Sequence, residues 1–239
     1  MHKSRAVAGS SSLAIAASSS PGRVTVALIA KTPQPGRVKT RLCPPCTPVE
    51  AAEVASLLLT HAIDAIAQAV LSSPVPIRPA ILLDGEIGSW IPSGWHTIAQ
   101  RGHGLDERLA NGLADLGEPA LVMAMDSPEV TAKDIVDAVG ALSQHHVVLG
   151  PTLDGGYWCI GARAATHELT VGVPMSQPNT FDAQCRRIDD LGLTLSLAAT
   201  HDDVDTFDDA CRVARRLRGT NLAEYIESLE KRQVHCATN

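Results

Sequence analysis

The run Val24-Thr-Val-Ala-Leu-Ile-Ala30 passes directly into the loop Lys31-Thr-Pro-Gln-Pro-Gly-Arg-Val-Lys-Thr-Arg41. An unbroken apolar and β-branched run, with no polar alternation, suits a strand buried on both faces, which is the habit of parallel sheets. Beyond the loop, Thr47-Pro-Val-Glu50 has the order of an N-cap, a proline at the first helical position and a capping-box glutamate. Apolar residues then recur at helical spacing to about residue 70 (Val54, Leu57, Leu58, Ala62, Ala65).

The same reading continues along the chain. Strands are expected at residues 80–83, 95–98, 120–125, 146–149, 157–160 and 194–197. Helices are expected at 105–116, after Thr131, at 180–190 up to Gly192, and at 206–218 and 220–231. Residues 157–160 follow 146–149 closely enough for a local antiparallel excursion. Strands alternating with helices predict a three-layer α/β sandwich, Rossmann-like, with a mostly parallel (mixed) sheet and helices on both faces.

No internal repeat or interior linker interrupts the pattern, so one domain over residues 23–235 is expected. Residues 1–22, rich in Ser, Ala and Gly, are expected to be a disordered leader. Their apolar stretch, Leu13-Ala-Ile-Ala-Ala17, is shorter than a signal-peptide core. No run was found to approach the roughly 18 apolar residues of a membrane helix, so a cytoplasmic location and no membrane span are expected.

With 20 Lys and Arg against 26 Asp and Glu, the net charge of −6 argues against general nucleic-acid binding. Positive charge is local, at Lys31 to Arg41 and at Arg212 to Arg218; the second cluster reads as the solvated face of a late helix. Cys43-Pro-Pro-Cys46 has redox or metal-ligand spacing before a helix start, but no second pair completes a zinc site, and a structural role is the plainer reading.

Ligands in open α/β sheets bind beyond the carboxyl ends of the strands. The loop after the first strand offers Lys31, Arg37, Lys39 and Arg41, and an extended backbone would project the last three to one side. Guanidinium forks and a compact ammonium both suit phosphate oxygens. Gly36 would permit close backbone approach. Val38 before the lysine rules out a P-loop, and no G-x-G-x-x-G is present. Asp126, between Leu121-Val-Met-Ala-Met125 and Ser127-Pro128, suits either Mg²⁺ or Mn²⁺ or a turn cap. Asp202-Asp-Val-Asp-Thr-Phe-Asp-Asp209 enters a helix, with Thr206 or Asp205 as cap and Asp205 as an alternative metal or phosphate neighbour. Asp154-Gly155-Gly156-Tyr157 reads as a tight turn in which Asp154 either shapes the turn or handles an acceptor proton. Gln100-Arg-Gly-His-Gly104 is a second glycine-rich approach to a helix.

Taken in order, Lys-x-Pro-x-Pro-Gly-x-Val-Lys-Thr-Arg-Leu, Gly-Leu-x-Glu-Arg, Asp-Ser-Pro, Gly-Pro-x-x-Asp-Gly-Gly-Tyr and Asp-Val-Asp-Thr resemble the GT-A-type nucleotide-diphospho-sugar transferase superfamily, over about residues 24–215. Within it they look like the bacterial arsenosugar-biosynthesis-like glycosyltransferases. The resemblance implies that Lys31, Arg37, Lys39 and Arg41, with Gly36 and Gly104, hold donor phosphates. It implies that Asp126 and Asp205 bind Mg²⁺ or Mn²⁺, and that Asp154, Gly155, Gly156 and Tyr157 line the acceptor pocket, with Asp154 catalytic. Ser127-Pro128 stands where the superfamily has a second acid, and Pro174-Met-Ser-Gln-Pro-Asn-Thr180 replaces a Trp-Ser-Thr-like segment. The implied partners are a nucleotide or nucleotide-sugar donor and a small-molecule acceptor. Three activities follow as expectations: metal-assisted glycosyl transfer first, nucleotidyl transfer with pyrophosphate release second, and nucleotide binding without catalysis third.

Overall fold

The computed structural model describes residues 22–117 and 119–237, the side chains of residues 234–237 excepted. Apart from Gly22, the expected leader lies outside the described residues. The first strand, β1 (Val24–Lys31), is the sheet's organising element, hydrogen-bonded in parallel to β2 (Ile77–Asp84) on one side and β4 (Ala120–Ala124) on the other. Adding β3 (His96–Ala99), β5 (Val147–Pro151), β6 (Tyr157–Ala162) and β7 (Leu195–Leu197) gives a seven-stranded sheet in the order β3-β2-β1-β4-β6-β5-β7. Only β6 runs antiparallel, inserted between β4 and β5, so the expected excursion is real and sits inside the sheet.

Pro79 lies within β2, which begins before the strand expected at 80–83. It is tolerated because β3 pairs with β2 only from Ala80 onward, so the prolyl nitrogen lies where β2 is still an edge. Alternate residues of the central strands face opposite layers. Val26, Leu28, Leu121 and Met123 pack against α1 (Pro48–Ser72) and α3 (Ala132–Ala141). Ala27, Leu82, Val122 and Ile160 pack against α2 (Leu105–Leu116) and α4 (Thr180–Asp190). This is the expected three-layer α/β arrangement.

Helix α1 has two buried flanks. Ala55, Leu59, Ile63 and Ile66 meet the sheet, while Ala51, Val54 and Leu58 meet α5 (Phe207–Ala214) and α6 (Asn221–Ala237). A helix covered on both sides is apolar nearly all round. Accordingly α1, with 25 residues, has a mean hydropathy of 1.7 over its best window, which by length and composition alone would suffice to cross a membrane. Here half of that window is buried against protein. Helix starts follow the local signals: Thr47, Thr131 and Thr206 each close a full capping box, with Glu50, Asp134 and Asp209. The late helices are divided differently from expectation. Helix α5 stops at Ala214 and α6 begins at Asn221, after a turn in which Gly219 has φ +84°.

Candidate functional site

The carboxyl ends of β1 and β4 open into a cavity of about 560 Å³. Lys31, Arg37, Lys39 and Arg41 line it, as do Asp126, Asp205 and a fifth cation, Arg108. Its remaining wall includes Gln100, His103, Leu105 and Ser176.

The basic loop reaches the cavity by turning, so the expected extended conformation is corrected. Gln34-Pro35-Gly36-Arg37 forms a turn closed by the Arg37 amide on the Gln34 carbonyl at 3.0 Å. Gly36 supplies φ +76° there, and a Cβ at that position would meet nothing within 4 Å. Its role is therefore conformational, as at the third position of a type II turn, and not close approach. Val38 is buried, and Thr40–Leu42 form one turn of 3₁₀ helix. Lys39 at its start has φ 47° and ψ 37°. The three cations consequently differ: the Lys39 side chain is 8% exposed and that of Arg41 67%, while Arg37 is exposed and reaches toward the Gln34 side chain.

Lys39 Nζ stands 2.9 Å from Asp126 Oδ1 and donates to the Val204 carbonyl. The Val204 amide in turn donates to the Asp126 carbonyl at 3.0 Å, which ties the end of β4 to the acidic segment 202–205. Helix α3 takes its cap from Thr131, so Asp126 is not its cap. Arg41 pairs with Asp205 at the cavity's open side. Both of those side chains are well exposed, so the pair contributes little to stability.

Sequence reasoning passed over two members of the acidic segment. Asp203 is half-buried, and its carboxyl is pushed up to about 7, first by burial and then by the charge of Asp154, with Asp126 and Asp205 adding and Lys39 opposing. Asp202 is 2% exposed and points the other way. It accepts from Arg212 at 2.7 and 3.0 Å and from Arg216 at 2.8 Å, and Arg216 also binds Glu129. Those arginines hold its carboxyl down at about 2. The Arg212–Arg218 cluster was expected to be solvated; Arg212 and Arg216 are substantially exposed, and they also clamp a buried acid. The signal available in the sequence was the alternation of acids at 202, 203 and 205, which separates inward from outward side chains only once the backbone path is known.

The second glycine-rich segment and the Asp154 turn are placed differently. Gly104 caps α2 with no side chain to offer and is absent from the cavity wall, to which its neighbours His103 and Leu105 belong. Asp154, Gly155, Gly156 and Tyr157 are not among the residues lining the cavity. Asp154 Oδ1 accepts from the Thr152 hydroxyl and the Gly156 amide, an Asx-type turn. Gly155 (φ +89°) lies so close to Pro178 that an added Cβ would sit 1.9 Å from its carbonyl oxygen. The Phe181 amide donates to the Gly155 carbonyl at 2.8 Å. Gly155 thus seats the 174–179 segment, whose Ser176 (φ 57°) borders the cavity. Tyr157 faces inward. Its hydroxyl meets Met175 Sδ and Gln184 Oε1, and burial pushes its ionisation well above the ordinary phenol range. An acceptor contact by Tyr157 is corrected on that geometry.

Cys43, Cys46, Cys159, Cys185 and Cys211 are free thiols. Burial, followed by the Glu50 charge, pushes Cys46 up to about 11, so the helix start does not activate it.

The donor set bears on the expected metal. Among the described residues no three His, Cys, Asp or Glu side chains are arranged as a cage. Asp126 Oδ1, however, is buried and accepts no directed hydrogen bond, its contact with Lys39 being one of charge alone. An orphaned carboxylate oxygen beside further acids fits Mg²⁺ or Mn²⁺ of the kind that takes one or two protein carboxylates and completes its shell with water and phosphate oxygens.

No curated protein matches the chain in sequence. The family described as "Uncharacterized protein conserved in bacteria (DUF2064)" matches residues 61–177, a span that includes Asp126 and Asp154 but neither the basic loop nor Asp205. Among solved structures, a protein of Desulfovibrio desulfuricans G20 described as a candidate nucleotide-diphospho-sugar transferase has a TM-score of 0.73 at 20% identity, covering 87% of this chain and 95% of its own. The 4-diphosphocytidyl-2C-methyl-D-erythritol synthase of Anaerococcus prevotii DSM 20548 has a TM-score of 0.53 at 9% identity, over 79% and 95%. Rv0371c of Mycobacterium tuberculosis H37Rv, in its complex with manganese, has a TM-score of 0.51 at 18% identity, over 80% and 96%. At such identities the likeness is one of fold: this chain shares its mixed α/β sheet architecture with these structures.

Proposed function

We propose that this chain, through one domain over residues 23–235, is a transferase that moves a sugar from a nucleotide-diphospho-sugar to a small acceptor in the cytoplasm, belonging to the arsenosugar-biosynthesis-like branch. The observation that carries this reading is the single cavity at the ends of β1 and β4 in which Lys31, Arg37, Lys39, Arg41 and Arg108 face Asp126 and Asp205. Its volume of about 560 Å³ is in the range of small-molecule sites. Charge that grows on a departing diphosphate is stabilised by cations already fixed in place. Mg²⁺ or Mn²⁺, held by Asp126 and Asp205, would supply further neutralisation of the phosphate oxygens. Arg37 and Arg41, the exposed cations, grip the outer phosphate oxygens, while Lys39 serves the inner ones. Asp154 keeps Oδ2 outside the turn's hydrogen bonds and takes the acceptor proton, with the Ser176 segment forming the acceptor-side wall.

Five cations around one cavity also favour a second reading, nucleotidyl transfer from a nucleoside triphosphate with pyrophosphate released. Product analysis separates the two. Nucleoside diphosphate freed from UDP- or GDP-sugars in the presence of Mn²⁺ supports glycosyl transfer, and pyrophosphate from CTP or GTP supports the alternative. Stabilisation by nucleotide sugars in a thermal-shift screen, with no turnover against a broad acceptor panel, would reduce the chain to a binding module.

A further inference from the structure

Lys39 is built unlike the arginines beside it. Its backbone is in the left-handed region, φ 47° and ψ 37°, which residues bearing a side chain rarely adopt. Such strain persists where the surroundings over-determine it, and it gathers at sites of binding and switching. The result is to bring a nearly buried ammonium, 8% exposed, to 2.9 Å from Asp126 Oδ1. The ammonium also donates to the Val204 carbonyl, and Asp126 Oδ1 has no hydrogen-bond partner of its own. The contact neutralises the carboxylate without fixing it, so the position is filled by a cation that can leave.

An ammonium and a divalent cation cannot occupy that oxygen together without repelling one another. For a divalent cation to reach Asp126, Nζ has to withdraw, and the acceptors that await it in the cavity are the phosphate oxygens of a donor. We propose that Lys39 is an internal counter-ion for Asp126, exchanged for a divalent cation when a diphosphate arrives, so that metal and donor bind cooperatively and the empty site holds metal weakly. This rests on the nucleotide and metal reading of the same cavity. Linkage requires the coupling to be reciprocal, each ligand raising the other's affinity by the same factor.

The test is Mn²⁺ binding to nucleotide-free protein, read from the electron paramagnetic resonance of free Mn²⁺. Wild type, Lys39→Met and Lys39→Arg are compared, each with and without Asp126→Asn. Methionine preserves most of the stem's packing and removes the charge. Lys39→Met is expected to bind Mn²⁺ at least about tenfold more tightly than wild type, Lys39→Arg to resemble wild type, and Asp126→Asn to abolish the gain. Equal affinities in wild type and Lys39→Met, both lost with Asp126→Asn, would overturn the counter-ion role and leave the metal site standing. Absence of Asp126-dependent Mn²⁺ binding in every variant would overturn the metal site and the coupling with it. Should Lys39→Met fail to fold, the wild type decides. In protein carrying ¹⁵N-lysine, Mg²⁺ added together with UDP must shift the ammonium resonance assigned to Lys39 by its loss in Lys39→Arg, and a resonance unmoved by Mg²⁺ and UDP together overturns the proposal.

Discussion

Replacing Asp202 by asparagine removes the charge from a carboxylate that is 2% exposed and held by Arg212 and Arg216. Those arginines lower its titration from the ordinary 3.8 to about 2. At about 1.4 kcal/mol per tenfold, the ionised form is favoured on folding by roughly 2 kcal/mol. The larger loss expected when a buried pair is broken does not apply, because the Arg212 and Arg216 side chains are 45% and 42% exposed and regain water. The folded value lies below the unfolded one, so this stabilisation is complete above about pH 4 and is lost as pH falls through about 2. Urea unfolding of wild type and Asp202→Asn should therefore show a gap of about 2 kcal/mol at pH 7, shrinking to roughly half by pH 3. A gap that is absent at pH 7, or the same at pH 3 as at pH 7, would refute the argument; the latter would mean that shape and not charge sets the cost. Because Asp203 and Asp205 follow on the same segment, the variant should also bind UDP more weakly at pH 7.

Asp126→Asn should weaken UDP binding in Mn²⁺ by about tenfold or more while leaving the melting temperature within a few degrees, read by calorimetry and thermal scans. Lys39→Ala and Arg41→Ala should reduce affinity for UDP more than for uridine; equal losses for both ligands would count against phosphate contact. Gly155→Ala combines φ +89° with a Cβ 1.9 Å from the Pro178 oxygen, and should cost about 2–4 kcal/mol in urea unfolding, whereas Gly36→Ala, which meets nothing, should cost only about 1 kcal/mol. Cys46, at about 11, should react with a thiol reagent at pH 7 far more slowly than free cysteine, and a rate equal to that of free cysteine would contradict its burial.

Much of the architecture was legible because its signals are local. The apolar run before Lys31 named the central strand, and Thr47 with Glu50, Thr131 with Asp134 and Thr206 with Asp209 marked helix starts by chemistry that operates within four residues. The juxtaposition of Asp126 with the basic loop followed from strand-end logic, since β1 and β4 are neighbours in parallel. What could not be read depends on partners far along the chain. Lys39 turns inward because Asp126 and Val204 receive it, and Asp202 is buried because α5 and the turn beyond it supply two guanidinium groups. Tyr157 faces inward beside a register shift between Gly150 and Pro151, the kind of irregularity that re-aims side chains. The length and hydropathy of α1 misled in the opposite direction. Glu53, Ser56, Thr60, His61, Asp64 and Gln68 break its apolar run in sequence, yet its summed character is that of a helix apolar on two flanks.

That double-sided helix makes the carboxyl-terminal segment a cover for α1 as well as an element in its own right. A chain cut at the Gly219 turn would lose Leu222, Ile226 and Leu229, and with them much of the cover over Val54 and Leu58. It would expose that apolar flank of α1, although no residue lining the cavity at the ends of β1 and β4 lies beyond Asp205.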